Sequence, residues 1–332
     1  MGRAGVQAQR RFRRQLRLAA PLRRLSPDHR PQPRHGGSVP MTTVAFIGLG
    51  IMGGPMAANL VKAGFDVIGY NRSPDPIQRL VEQGGRGAGS LGEAVRDADV
   101  VVTMVPDSPD VEAVTVGEEG FYGLVEPGTL HVDMSSIRPD VARKVAEAGG
   151  ERGVRVLDAP VSGGEQGAID ATLSIMVGGS PADFADGRPV LDAVGRTVVH
   201  VGPAGAGQTV KAANQLIVAG TIELVAEAIV FLEAHGVDTE AAVEVLAGGL
   251  AGNAILDRKA AAMLRRDFEP GFRIELHHKD LGIVTSAARE AGVVIPLGAV
   301  VAQLVASLEA QGDGGLDHSA LLKLVEQLSG RH

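Results

Sequence analysis

The strongest constraint on the fold is the turn Gly48-Leu49-Gly50-Ile51-Met52-Gly53, set between an apolar β-branched run and a helical stretch. In a strand–turn–helix setting each glycine has a separate task. Gly48 permits the tight turn, Gly50 lets the backbone approach a pyrophosphate, and Gly53 allows the helix to pack closely on the strand. The free N–H groups of the helix N-terminus add an anion site. The reading is a dinucleotide held on Gly48, Leu49, Gly50, Ile51, Met52 and Gly53, in the first βα unit of a Rossmann-type sheet. A glycine-rich loop with no ligand is the competing explanation. The abutting strand, the spacing and the position at the start of a domain favour the site.

From residue 43 onward, short β-branched runs alternate with helical patterns. Segments 44–47, 66–70, 99–104, 129–134, 154–157, 173–177 and 197–201 read as strands, and 55–62, 90–96, 139–147 and 181–193 as helices between them. Val100-Val101-Val102 is continuously apolar, as a parallel strand buried on both faces requires. Such alternation predicts an α/β fold with a doubly wound sheet. Beyond Gly202-Pro203-Ala204-Gly205-Ala206-Gly207 no strand pattern appears. One long helix over 208–234 leads into further helices near 239–247, 253–265, 279–291, 296–310 and 317–328. The expected organisation is a sheet domain over 41–204 and an all-α domain over 205–332, joined by that long interdomain helix. Residues 1–40 stand apart.

Composition excludes several functions. No cysteine is present, so disulfides, thiolate metal sites and cysteine nucleophiles are out, and a reducing, cytoplasmic setting is in keeping with this. Aromatic residues make up 3% of the chain, too few for base-stacking platforms. No apolar run reads as a membrane span. Charge is divided unevenly: residues 1–40 carry ten arginines and one acid, Asp28, while the rest holds 22 basic and 38 acidic residues. An acidic body argues against nucleic acid as the main partner. The basic leader resembles a transit peptide in its arginine content. Its only serines are Ser26 and Ser38, and Pro21, Pro27, Pro31, Pro33 and Pro40 break any long amphipathic helix. The preferred expectation is that Met41 is the initiator and that 1–40 is an upstream-start artefact or a disordered tail.

The end of the second strand speaks to the choice of cofactor. NAD sites usually carry a carboxylate there for the ribose 2′-hydroxyl. Here the segment is Tyr70-Asn71-Arg72-Ser73, with no acid to repel a 2′-phosphate and an arginine fork able to pair with one. Preference for NADP(H) follows, with Asn71, Arg72 and Ser73 around the phosphate and NAD(H) as the alternative. Stacking of Arg72 on adenine is the competing role.

Lysine is scarce after residue 40, with six against sixteen arginines, so Lys211 inside an apolar helix stands out. An ammonium can protonate a carbonyl oxygen as hydride arrives, which arginine cannot do near neutral pH. Asn214 follows one turn later on the same face. The loop Asp158-Ala159-Pro160-Val161-Ser162-Gly163-Gly164 offers a hydroxyl and glycine N–H groups that could converge on one carboxylate, or could form an ordinary turn.

Four features in this order resemble the β-hydroxyacid dehydrogenase family over about residues 42–329: the glycine turn, Ser162-Gly163-Gly164, Gly207/Lys211/Asn214, and Lys279-Asp280-Leu281. The resemblance implies Lys211 as the catalytic acid/base, Asn214 orienting substrate, and Ser162, Gly163 and Gly164 binding the substrate carboxylate. It also implies Ser136 and the Val105-Pro106 loop beside the nicotinamide ribose. Lys279 would close over cofactor or substrate and help to lower the Lys211 pKa. Gly164-Glu165-Gln166-Gly167-Ala168-Ile169, Gly248-Gly249-Leu250-Ala251-Gly252, Pro270 to Leu281 and Asp317 to Leu321 look most like the tartronate semialdehyde reductase branch. Asn71-Arg72 departs from it, since several such reductases carry an acid there and use NADH. The implied partner is a small carboxylated aldehyde or its hydroxy acid. The implied assembly is a homo-oligomer, dimer or tetramer, with Val218, Ile222, Val225 and Ile229 either packing between subunits or forming internal core. An imine reductase and a non-catalytic dinucleotide-binding relative are the rival functions, and the presence of Lys211 argues against both. None of the nine histidines has zinc-ligand spacing, so no metal is expected.

Overall fold

The computed structural model describes residues 42–331; the basic leader lies outside the described residues. Strand β1 (Thr43–Ile47) is buried along nearly its whole length, and its alternate residues feed two different cores. Val44 and Phe46 face one side of the sheet, Ala45 and Ile47 the other, as the two-residue period of a strand requires. Around it lie β2 (Asp66–Tyr70), β3 (Arg86–Gly87), β4 (Val100–Thr103), β5 (Leu130–Asp133) and β6 (Arg155–Asp158). These six are parallel in the order β3-β2-β1-β4-β5-β6. β7 (Val161–Ser162) and β8 (Leu173–Gly178) continue the sheet with antiparallel pairings, and β9 (Gly195–Gly202) runs parallel to β8. The expected doubly wound sheet is present, extended by a mixed edge.

Helices cover both faces. α1 (Gly53–Lys62) packs Met56, Ala57 and Leu60 on the Val44/Phe46 face. On the other face lie α3 (Leu91–Val95), α4 (Ser108–Thr115) and α5 (Pro139–Glu151), with Val95, Val111, Val141 and Val145 buried there. The remaining helices of this part are α2 (Pro74–Glu82), α6 (Gly164–Ile169) and α7 (Pro181–Asp192). Neither α2, α4 and α6 nor the two-residue strands β3 and β7 are visible as separate elements in the sequence pattern.

After β9 the chain is helical: α8 (Ala206–Ala234), α9 (Thr239–Ala247), α10 (Ala254–Leu264), α11 (Ile274–Glu290), α12 (Pro296–Leu308) and α13 (Leu321–Leu328). By length and composition alone α8 could cross a membrane, with a mean hydropathy of 1.9 over its most apolar window. It is instead the central helix of this part, packed against α10, α11, α12 and α13. Ile222, Val225 and Ile229 are buried within it and Val218 packs on the same core, so this row is internal and does not form a subunit surface. The outward row is Val210, Ile217, Leu224 and Phe231, at seven-residue intervals.

Helix α11 begins five residues before its expected start at 279. The Asp317 carboxylate accepts the N–H groups of Gly271 and Phe272 at 3.0 Å each, and Ile274 N–H donates to Leu316 O at 2.9 Å. These long-range bonds satisfy N–H groups ahead of the helix and at its first residue, and local pattern cannot announce them.

Candidate active site

The glycine turn has the geometry its glycines suggest. Gly48 takes φ of +97°, and a side chain there would collide with the Met104 carbonyl. Gly53 lies against the Gly48 carbonyl and 3.0 Å from the Phe46 ring as measured from an added Cβ. At Gly50 an added Cβ would meet nothing within 4 Å, so the backbone there borders open space. The Leu49 side chain is core, while its N–H donates to Asn71 Oδ1 at 3.0 Å. Asn71 Nδ2 in turn donates to Ser73 Oγ at 2.9 Å. The end of β2 is thereby tied to the turn. Arg72 stays in solvent, its side chain 84% exposed and 3.9 Å from Asp110. A bare glycine cradle with an exposed guanidinium at its end fits a nicotinamide dinucleotide.

The first turn of α8 supplies the second part. Its start is fixed by Asp158, at the end of β6, whose carboxylate accepts Gly205 N–H at 2.7 Å and Gln208 N–H at 2.9 Å. Gly205 has φ of +85°, and Gly207 leaves no room for a side chain beside Met176 and Asp158. Burial pushes the Asp158 carboxyl up to about 6 even though these N–H bonds favour its ionised form. Three polar residues, Gln208, Lys211 and Gln215, then project from one buried face of the first turns of the helix.

Lys211 is 9% exposed, and its Nζ donates to Val161 O at 2.8 Å, one residue from Ser162. Pairing of β7 with β8, Val161 opposite Ile175 and Ser162 opposite Ser174, sets that carbonyl. Gly163 and Gly164 follow with φ of +146° and +68°, conformations a side chain resists. Burial holds the Lys211 ammonium below the usual lysine range; Asp280 opposes this and Lys279 adds to it. The Lys279 effect has the expected sign but is secondary to burial.

Side chains from the helical part grip the loops of the sheet. Lys279 Nζ donates to Ser136 O at 2.7 Å and to Pro106 O at 3.1 Å, with Asp280 Oδ1 at 3.0 Å. Gln208 Nε2 donates to Ser135 O at 2.8 Å, and its Oε1 accepts Ile137 N–H at 3.0 Å, so it brackets Ser136. Val105 N–H donates to Ser135 Oγ at 3.0 Å. Gln215 donates to Asp280 Oδ2 at 2.6 Å and accepts from Asn214 at 2.8 Å, so Asn214 bonds to its neighbour and not to Lys211. Val105, Pro106, Ser136 and Lys279 therefore lie together, and Lys211 sits beside Val161 and Ser162. Asp158 and Asp280 stand in the sequence motifs without a role assigned to them, and Gln208 and Gln215 were not singled out at all. The available signal was the polar row at positions 208, 211 and 215 in an apolar helix.

The histidines separate by environment. His277 is fully buried, its Nδ1 3.1 Å from His318 Nδ1, and burial pushes it down to about 4. The adjacent His278 faces solvent, as two neighbours on one helix must diverge. His131 lies on β5 and His200 on β9.

A glycine cradle at the first βα turn and a buried lysine on α8 fit one class, a nicotinamide-dependent oxidoreductase acting on CH–OH groups. Residues 43–202 match the family model for the NAD binding domain of 6-phosphogluconate dehydrogenase. Residues 205–325 match that for the NAD-binding domain of NADP-dependent 3-hydroxyisobutyrate dehydrogenase. The chain is 41% identical over 287 residues to 2-hydroxy-3-oxopropionate reductase of Escherichia coli, covering 86% of this chain and 98% of the relative. It is 40% identical over 294 residues to 3-hydroxyisobutyrate dehydrogenase of Pseudomonas aeruginosa, covering 86% and 98%. The solved structure of Mycobacterium tuberculosis 3-hydroxyisobutyrate dehydrogenase with L-serine matches with a TM-score of 0.79 at 36% identity, covering 86% of this chain and 99% of that one. The chain belongs to the β-hydroxyacid dehydrogenase family.

Proposed function

We propose that the chain is an NADPH-preferring reductase of a small semialdehyde carboxylate, with 2-hydroxy-3-oxopropionate and glycerate as its substrate pair. The observation that carries the reading is the buried Lys211 ammonium, held at the Val161 carbonyl next to the Ser162-Gly163-Gly164 loop. When bound on the glycine turn, a reduced nicotinamide dinucleotide supplies hydride. Lys211 donates a proton to the substrate oxygen as it becomes a hydroxyl, and accepts one in the reverse direction. Depression of its pKa by burial eases that release, while Asp280 limits the depression. Ser162, with the N–H groups of Gly163 and Gly164, binds the carboxylate, and Asn214 orients the substrate. Lys279 holds the Pro106 and Ser136 backbones in register with the nicotinamide end. The exposed Arg72, with Asn71 and Ser73, takes the 2′-phosphate.

The substrate choice rests on the named relatives and on the motifs described above. 3-Hydroxyisobutyrate and L-serine are the second reading, since relatives of similar identity bear those names. The outward row of α8, with Ile217, Leu224 and Phe231 each more than half exposed, supports a homo-oligomer, dimer or tetramer, which light scattering reads directly. A cytoplasmic setting accords with the cysteine-free sequence. The test is dinucleotide oxidation with tartronate semialdehyde, succinic semialdehyde, glyoxylate and a cyclic imine. Turnover fastest with tartronate semialdehyde is expected; turnover of the imine alone, or of none, would overturn the reading.

A further inference from the structure

Beneath the loops that Lys279 grips lies a row of polar side chains with no part in the chemistry above. Thr103 is at the end of β4, and His131 and Asp133 share one face of β5; all three are almost wholly buried. Burying such groups is costly unless each finds a partner. Here they are bonded in series. Tyr122 OH is 2.7 Å from His131 Nδ1, His131 Nε2 is 2.9 Å from Thr103 Oγ1, and Thr103 Oγ1 is 2.7 Å from Asp133 Oδ1.

The proton directions follow from counting donors. Thr103 has a single hydroxyl proton and gives it to the carboxylate, so its oxygen must accept from His131 Nε2–H. His131 is neutral, since burial pushes it down to about 3. Its Nδ1 is then bare and accepts the Tyr122 proton, and burial raises the Tyr122 pKa and keeps that proton in place. Every donor in the series points toward Asp133. Asp133 Oδ1 also accepts Ser135 N–H at 3.1 Å, and Ser135 Oγ accepts Val105 N–H at 3.0 Å. The series ends in the two loops, 104–106 and 134–136, whose carbonyls bind Lys279.

The geometry points to Tyr122, His131 and Thr103 as positioning residues: a proton-ordered wire whose bond to Asp133 Oδ1 favours the ionised carboxylate and thereby helps to fix both loops for the nicotinamide end of the cofactor. This rests on the proposed dinucleotide site. The titratable groups facing Asp133 are Asp158, its register partner on β6, and, through Thr103, His131 and Tyr122. Burial raises the Asp133 carboxyl to about 6; the bonds from Ser135 and Thr103 oppose this and Asp158 adds to it. Protonated Asp133 would donate to Thr103, reverse the series and weaken its hold on Ser135 N–H.

The test compares dissociation constants of NADPH and NADH for wild type, Thr103→Val and Thr103→Ser between pH 5.5 and 8.5, read by dinucleotide fluorescence. Taking the ratio of variant to wild type cancels the cofactor's own titration. Thr103→Val keeps the volume but removes the bond that favours ionised Asp133, so its carboxyl titrates at higher pH. The ratio should reach about tenfold near pH 6.5 and shrink to about twofold at pH 8.5, with Thr103→Ser restoring wild-type values. A ratio of one throughout would overturn the proposal, as would a constant loss at every pH that Thr103→Ser does not rescue. Should Thr103→Val not fold, Tyr122→Phe removes only the terminal donor. It should raise the dissociation constant about two- to threefold with the same pH trend, and no change would be equally decisive. Failure of wild type to bind either dinucleotide would instead remove the cofactor site, and the wire's role with it.

Discussion

Replacing Asp158 by asparagine separates two opposing effects at the joint between sheet and helix. The carboxylate accepts two backbone N–H groups, from Gly205 and Gln208, at the start of α8. An amide of the same size presents one oxygen and one NH₂ group, so one buried N–H loses its acceptor, at a cost of about 1–3 kcal/mol. Against this, the wild-type carboxyl is raised by burial to about 6. Compared with an unfolded value of about 3.9, that is a shift of roughly two units, or about 3 kcal/mol. With the folded-state pKa the higher, the unfolded chain releases its proton first as pH rises. Stability from this group is therefore full at acid pH and is lost as pH climbs through about 6. About 2 kcal/mol of the loss falls between pH 4.5 and 7.5. Asparagine has no such component. Asp158→Asn should destabilise most near pH 4.5, and the deficit should shrink or change sign by pH 7.5. Urea unfolding of both proteins at four pH values reads the difference and cancels the other titrating groups. A deficit that grows with pH would refute the reasoning, because it would mean the two N–H bonds outweigh burial.

Two further perturbations probe other parts of the account. Gly207→Ala places a Cβ 2.6 Å from the Asp158 carbonyl, so the first turn of α8 must shift; about 1–3 kcal/mol of stability should be lost in denaturant unfolding, and turnover should fall with it. Arg72→Ala should raise the Michaelis constant for NADPH about tenfold and leave that for NADH unchanged, and equal effects on the two would assign Arg72 a different role.

The parts of the fold legible in the sequence are those that repeat a local period. β1, β2 and β4 announce themselves because their apolar runs end in glycine or polar turns, and α8 because its apolar pattern persists for many turns. β3 and β7 are two residues long and carry no period; pairing with β2 and β8 defines them. The prolines at 74 and 76 disguise α2 as a turn, although Pro74 sits at its first position, where the missing N–H costs nothing. α5 runs past its expected end through Gly149-Gly150, where Gly149 packs against Tyr122 and Val156. At the site, Lys211 stood out as a rare cation in an apolar helix, and Lys279 through its place in a motif resembling the β-hydroxyacid dehydrogenases. That they bond to the Val161, Pro106 and Ser136 carbonyls was not legible, because those carbonyls approach them only through strand order and the meeting of sheet loops with helices. Asp133 and Thr103 were hidden for the same reason: each is a polar residue at the end of a buried strand, and only the register of β4 against β5 sets them side by side.

The central claim is that Lys211 moves the proton at the substrate oxygen. Its most direct test measures turnover and dinucleotide affinity together for Lys211→Ala and Lys211→Arg. The account predicts a loss of about 10²–10⁴-fold in kcat for both variants, because arginine keeps the charge but cannot release the proton, with the dissociation constant of NADPH nearly unchanged. Near-wild-type kcat in either variant would contradict it.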